Sequence, residues 1–220
     1  MRLRDRIGIG RHRQQQISRA LSMSLVGFFM VGIWTGNTGV IVNAGVGVLA
    51  TQLVPILERD YGIALDPALT LWITSAVFLH ALGVVGLPGA EENFYRSLWW
   101  WDHLTHALSS SVVAAVGYTS VRALDRHSEQ LYLPRQFMFV FILLFVMAFG
   151  VFWEVIEFSL GLFASATGNG SILTQYGLDD TMLDLVFDTI GAIIVSIWGT
   201  AHLTDVVGYV EDWLDSRTPS

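Results

Sequence analysis

Three groups of ionisable side chains lie within stretches of the chain that are otherwise apolar. The groups are Asp102 with His106, Glu154 with Glu157, and Asp180 with Asp184 and Asp188. Each residue of an α-helix turns by about 100°, so the members of each group share one helix face. An ionisable side chain at mid-bilayer costs roughly 2.5–3.5 kcal/mol on insertion scales and usually marks function. The spacing therefore predicts three acidic helix faces with a chemical purpose.

Acidic faces of this kind are typical of metal sites. Carboxylates that face one another at low dielectric repel unless they are protonated, neutralised or bound to cations. Helix bundles commonly build carboxylate-rich metal sites from facing side chains. We therefore predict a divalent metal site with ligands drawn from Asp102, His106, Glu157, Asp180 and Asp184. Oxygen donors with one imidazole suit magnesium, manganese, calcium, zinc or iron, so the identity of the metal stays open.

The same groups supply candidates for proton transfer. Either Glu154 or His106 is expected to act as a general acid or base. Asp188 and His80 are supporting candidates, because both lie within apolar stretches near the other acids. His103 is expected to point away from the face of His106, towards the membrane interface.

A structural role is the simpler alternative for some of these residues. Asp102 and Asp180 lie where helices begin, so each could serve only to cap a helix and favour its dipole. Glu154 and Glu157 lie near a helix C-terminus, where a negative charge is unfavourable. Helix capping therefore does not explain the two glutamates.

The elements that position these residues are long apolar segments. Of 220 residues, 53% are hydrophobic and only 14% are charged, whereas about 25% are charged in a soluble domain. A helix needs about 20 mainly apolar residues to cross a bilayer. Six stretches meet this need: Ile17–Trp34, Thr38–Leu57, Leu69–Leu87, Asp102–Leu124, Gln136–Phe163 and Asp180–Leu203. The expected fold is an all-α, polytopic membrane helix bundle with six transmembrane helices.

Charge predicts how this bundle is oriented. All 12 basic residues are arginine, and basic residues accumulate in cytoplasmic loops. With both termini cytoplasmic, eleven arginines lie inside and only Arg96 lies outside. The three acidic groups then lie at one depth, near the outer surface of a multi-pass plasma-membrane protein. The expected division is a basic cytoplasmic segment at 1–16, a transmembrane domain at 17–203 and an acidic cytoplasmic tail at 204–220.

The composition of the chain excludes several kinds of chemistry and argues against one class of partner. The chain has no cysteine, so it has no disulfide, thiolate metal site or cysteine nucleophile. A net charge of −7 at pH 7 argues against nucleic acid as a partner. Membrane lipid is the expected partner, with a lipid-linked molecule as the expected substrate. The sequence does not determine the oligomeric state.

Three motifs around the acidic groups resemble a known family. Trp101-Asp102-x-x-x-His106, Trp153-Glu154-x-x-Glu157-Phe158 and Asp180-x-x-x-Asp184 are similar to motifs of the YjdF-type integral membrane proteins. That family is classed by a domain of unknown function, and the resemblance covers about Leu49 to Thr200. The resemblance implies the membrane topology and a functional role for the motif residues, but it implies no particular reaction. His103 stands where the family usually has arginine, and Leu185 replaces a methionine. A more distant likeness connects the chain with VanZ-like membrane proteins.

Three functions fit these observations. The first is a metal-dependent hydrolase or transferase that acts on a lipid or lipid-linked head group at the outer leaflet. The second is an ion or proton transporter with an intramembrane carboxylate site, although the chain lacks the repeats and broken helices usual in transporters. The third is a non-catalytic membrane scaffold.

Overall fold

The computed structural model describes residues 9–87, 89–128, 130–167, 173 and 175–217. The first eight residues of the predicted N-terminal segment and the last three of the predicted tail lie outside this range. In the described part of the chain every regular element is a helix: α1 Arg11–Thr35, α2 Thr38–Tyr61, α3 Pro67–Val85, α4 Phe94–Ser97, α5 Trp101–His127, α6 Arg135–Thr167, α7 Leu178–His202 and α8 Thr204–Asp215. The all-α prediction is therefore confirmed.

Local sequence explains where the first three helices start and stop. The side chain of Asn37 accepts a hydrogen bond from the backbone N–H of Val40 and caps α2. Asp66 caps α3 in the same way, and Pro67 occupies the first turn, where its missing N–H has no cost. Gly36 ends α1 with a φ of 66°, a left-handed conformation that glycine adopts readily.

Helix α5 is the centre of the bundle. It packs against α3, α6, α7 and α8, while α1, α2 and α3 pack against one another. Twelve residues of α5 are buried, and many of them are polar or small. The α3–α5 contact joins the two groups of helices. A helix enclosed in this way tolerates polar residues, because most of its surface faces protein and not lipid.

Five described helices are long and apolar enough to cross a membrane: Arg11–Thr35, Thr38–Tyr61, Pro67–Val85, Arg135–Thr167 and Leu178–Gly199. They correspond to five of the six predicted spans. The remaining predicted span, Asp102–Leu124, lies within α5, which has 27 residues but a more polar composition. The structure therefore supports a membrane bundle with five candidate spans in its described part, and the sixth span stays a prediction.

Close packing of α5 against α7 depends on Gly191. A Cβ atom at this position would collide with the Ala107 carbonyl oxygen and the Ser110 hydroxyl, and would lie 3.0 Å from the Ser111 nitrogen. Two of these three obstacles are backbone atoms, which cannot rotate away. The absence of a side chain thus allows the two helices that carry most of the acidic residues to approach each other.

We expect Gly191→Ala to lower the free energy of unfolding by about 1–3 kcal/mol, the usual cost of overpacking. The matched control is Gly161→Ala in α6, because a Cβ there has no neighbour within 4 Å. Alanine is the better helix former, so the control is expected to be neutral or slightly stabilising. Thermal unfolding in detergent measures both variants. Equal behaviour of the two would contradict the close approach of α5 and α7.

Candidate metal centre

One end of the bundle collects the acidic residues found in the sequence. Helices α5 and α7 begin at this end and α6 finishes there, so Asp102, Asp184 and Glu157 come from three separate helices. We call it the site end. The pairing of α5 with α7 and of α6 with α7 brings the acidic faces towards one another.

His106 lies among three aspartates. Its Nδ1 atom is 3.3 Å from an Asp188 oxygen, and its Nε2 atom is 3.7 Å from Asp102 and 3.9 Å from Asp184. The imidazole and the Asp184 carboxylate are buried. Single donor atoms of Asp102, His106 and Asp184 all lie within 4.8 Å of one another. We call these three residues the ligand triad.

The contacts of His106 suit the tautomer that metal binding requires. An ionised carboxylate only accepts hydrogen bonds, so an Nδ1–H would donate to Asp188. In the neutral imidazole the lone pair would then lie on Nε2, which faces Asp102 and Asp184. A histidine that binds a metal usually donates its other N–H to a carboxylate in this manner. Asp188 is therefore placed to orient His106.

The ligand triad fits a divalent cation by donor type and by spacing. Ligand atoms around a tetrahedral ion with metal–ligand distances near 2.1 Å are about 3.4 Å apart. The observed separations from Nε2 are 3.7 and 3.9 Å, so small side-chain movements would let the triad supply three of the four ligands. The described residues thus form a His/Asp cluster that could hold a metal.

His103 contradicts its predicted position. The side chain is 7% exposed, its Nδ1 is 3.2 Å from an Asp184 oxygen, and its ring stacks on Phe187 at 4.8 Å. The expectation of an interfacial residue was wrong because α7 covers a broad face of α5. His103 precedes His106 by three positions, the same offset that places Glu154 and Glu157 on one face. That signal was present in the sequence.

The two glutamates of α6 have different surroundings. Glu154 is buried; its Oε2 atom accepts hydrogen bonds from Thr181 at 2.7 Å and Gln175 at 3.3 Å. Its Oε1 atom is buried without a hydrogen-bond partner among the described residues. Glu157 accepts a hydrogen bond from the Trp153 indole at 3.0 Å. Glu157 also interacts electrostatically with His106, but neither glutamate belongs to the ligand triad.

Asp180 lies at the start of α7, also outside the triad. Its carboxylate accepts a hydrogen bond of 3.0 Å from the backbone N–H of Tyr176. This bond satisfies an N–H beside the first turn of α7, where such groups otherwise lack partners. Asp180 is not the N-cap of α7, because Gly177 occupies that position. Trp100 likewise occupies the N-cap position of α5, and the Asp102 carboxylate faces His106.

His80 forms a pair with Tyr95 on the short helix α4. The Tyr95 hydroxyl is 2.7 Å from His80 Nδ1. Burial raises the pKa of the Tyr95 phenol well above its usual value, so the hydroxyl keeps its proton and can pair with either tautomer of His80. The second imidazole near the site is thereby fixed in position without touching the ligand triad.

Two cavities meet near these residues. A polar cavity of about 470 Å³ is lined by Arg96, Asp102, Glu157 and Tyr176 among others. An apolar cavity of about 550 Å³ includes His106 and Asp188 in its lining. His80 and Leu173 line both cavities. Two residues of the ligand triad therefore border these spaces, with Asp102 on the polar cavity and His106 on the apolar one.

The helical architecture, the apolar spans and the buried His/Asp cluster define a multi-pass α-helical membrane protein. Residues 17–205 match the family described as "Predicted membrane protein (DUF2238)", and the chain belongs to that family. This is the family of the YjdF-type proteins, so the resemblance seen in the sequence is confirmed. The likeness to VanZ-like proteins stays a prediction.

A relative from Thermotoga maritima, named "Uncharacterized protein", is 33% identical over 121 residues. The alignment covers 55% of this chain and 56% of the relative, so the chain spans little more than half the length of the protein it matches. No solved structure matches the chain.

We expect His103→Phe to destabilise the protein by about 1–3 kcal/mol, the cost of leaving a buried acceptor without its donor. Phenylalanine preserves the stack on Phe187 and removes only the hydrogen bond to Asp184. The control is His202→Phe, because His202 is exposed near the end of α7. Thermal unfolding in detergent compares the stabilities of the His103→Phe and His202→Phe variants. A destabilisation no larger than that of the control would show that His103 does not support Asp184.

Proposed function

We propose that the protein is an intramembrane metal-dependent hydrolase or transferase that acts on a lipid or lipid-linked head group. The observation that carries this proposal is that two residues of the ligand triad line two cavities of opposite polarity. Asp102 lines the polar cavity and His106 lines the apolar one. An amphiphilic substrate that occupied both cavities would place the junction between its head group and its chains beside the triad.

The dimensions of the cavities support an amphiphile. Ligand sites commonly have volumes of about 300–1,000 Å³, a range that includes both 470 and 550 Å³. Val42, Val77 and Phe149 offer the apolar cavity walls suited to an acyl chain. Asn93 and Arg96 offer hydrogen-bond donors to a head group in the polar cavity.

The proposed topology has six spans, with α5 as the sixth. Its 27 residues extend for about 40 Å at 1.5 Å per residue, which exceeds the roughly 30 Å hydrocarbon core. The burial of its polar side chains explains why its composition differs from that of the other spans. With the arginines cytoplasmic, both termini are inside and the site end faces the outer leaflet of the plasma membrane.

The divalent cation would act as a Lewis acid on an ester or phosphoryl oxygen and make water a stronger acid. Asp102, His106 and Asp184 would hold it. Asp188 takes no part in proton transfer. Its contact with His106 Nδ1 keeps the imidazole ring oriented. His103 holds the Asp184 carboxylate through its hydrogen bond.

Glu154 is the better candidate for the general base. Both nitrogens of His106 face aspartates, whereas Glu154 has one oxygen fixed by Thr181 and one buried oxygen without a partner among the described residues. In hydrolysis Glu154 accepts a proton as water attacks, the bond to the leaving oxygen breaks, and Glu154 returns the proton to that oxygen. In transfer, an acceptor hydroxyl replaces water.

Ion or proton transport has less support. Transport requires polar groups that continue from the site towards the other membrane face. The buried side chains where α5, α6 and α7 meet below the site are mostly apolar, and they include Ala114, Ile142, Val146, Ala192 and Val195. This packing favours a reaction at one end of the bundle over passage through it.

The test is turnover of lipids in proteoliposomes made from a mixed phospholipid extract, with magnesium, manganese or zinc added in turn. Mass spectrometry of the lipids and released head groups detects products. We expect turnover that a chelator abolishes and that Asp184→Asn lowers more than a hundredfold, because the loss of supporting residues alone costs about 10–100-fold.

The matched control is Asp180→Asn, one helical turn away and outside the ligand triad, which is expected to stay within about threefold of the wild type. Glu154→Gln is expected to lower turnover by a factor of about 10²–10⁴ without loss of bound metal. The proposal fails if no lipid is consumed with any of the ions, or if Asp184→Asn is no worse than Asp180→Asn.

A further inference from the structure

The end of the bundle opposite the His/Asp cluster contains a third cavity. Its volume is about 330 Å³, and its walls come from α5, α6, α7 and α8. Arg122, Arg126 and Arg135 line it together with apolar residues. We call it the arginine cavity. No residue of the candidate metal centre takes part in it.

A buried aspartate holds this cavity in shape. Asp125 forms an ion pair with Arg122 and accepts a hydrogen bond of 2.6 Å from the backbone N–H of Leu133. The Asp125 side chain is only 7% exposed. These contacts fold the connection between α5 and α6 back onto α5. As a result, Arg122 at the end of α5 and Arg135 at the start of α6 line the same space.

The arginine cavity retains positive charge that protein does not neutralise. Asp125 compensates Arg122, and Arg126 lies 3.7 Å from Glu211 of α8 in a partly exposed pair, which is a weak interaction. In the described part of the chain, Arg135 has no carboxylate oxygen within 4.0 Å of its guanidinium. Arg135 is exposed, so it is free to bind an anion.

The other wall of the cavity is apolar and faces outward. Phe139 is 40% exposed and Ile197 is 61% exposed, and both line the cavity. They belong to α6 and α7, two of the candidate membrane spans. In a bilayer this wall meets hydrocarbon, while the arginines lie at the helix ends. The arginine cavity can therefore accommodate a negatively charged group beside an apolar chain.

From this combination we infer that the arginine cavity binds an anionic phospholipid of the surrounding membrane. A guanidinium binds a phosphate group through paired hydrogen bonds, and basic pockets between membrane helices are suited to anionic head groups. The phosphate contacts Arg135 and Arg122, and one acyl chain lies along Phe139 and Ile197. The site is independent of the proposed function, because it lies at the opposite end of the bundle.

Native mass spectrometry of the full chain in detergent tests this inference. The protein is titrated with phosphatidylglycerol or with phosphatidylcholine, and the retained lipid is counted. We expect the protein to retain one phosphatidylglycerol in preference to phosphatidylcholine. We expect Arg135→Gln to weaken the binding of phosphatidylglycerol about fivefold, the factor expected for one basic residue. The control is Arg59→Gln, which makes the same charge change at an exposed residue outside the cavity lining.

Two further comparisons separate a lipid from free phosphate. Ile197→Trp, which fills the apolar wall, is expected to lower retention of phosphatidylglycerol, and excess inorganic phosphate is expected not to displace it. Displacement by phosphate together with no effect of Ile197→Trp would show a simple anion site and overturn the inference. Equal retention of the two lipids, or equal effects of Arg135→Gln and Arg59→Gln, would also overturn it.

Discussion

The structure depends on the contacts between one imidazole and three carboxylates, of which those of Asp184 and Asp188 are buried and that of Asp102 is half-buried. Moving a carboxylate from water into an apolar bundle has a cost of several kcal/mol unless a partner compensates it. Asp188 pairs with His106 Nδ1, and Nε2 faces Asp102 and Asp184, where a bound cation would compensate the charge of these two carboxylates. Because these aspartates are on both α5 and α7, the compensation exists only while the two helices stay close. Gly191 makes that approach sterically feasible.

The polar interior also accounts for the unusual composition of α5. A helix in contact with lipid must present apolar side chains, whereas an enclosed helix can carry histidine, serine and threonine towards its neighbours. Ser111 illustrates this arrangement, because its hydroxyl accepts a hydrogen bond from the Trp72 indole of α3 at 3.1 Å. The His/Asp cluster lies at one end of the bundle and the arginine cavity at the other. The two ends therefore suit different ligands.

The lengths of the apolar stretches located the six long helices, and helical spacing indicated the acidic faces. The spacing of Asp102 with His106, and of Asp184 with Asp188, indicated shared faces, and the structure brings these residues together. Periodicity did not reveal which helix covers each face or how wide the covered face is. For this reason His103 was misplaced, and the partners of Glu154, which are Gln175 and Thr181, were not foreseen.

The central claim is that the ligand triad binds a divalent cation, and anomalous X-ray diffraction from crystals of the purified protein tests it most directly. Data collected on both sides of the absorption edge of manganese, iron or zinc locate each bound ion. The account predicts an ion between His106 Nε2 and carboxylate oxygens of Asp102 and Asp184. Crystals of protein supplied with these metals that show no anomalous peak there, or show one only at other residues, would contradict it.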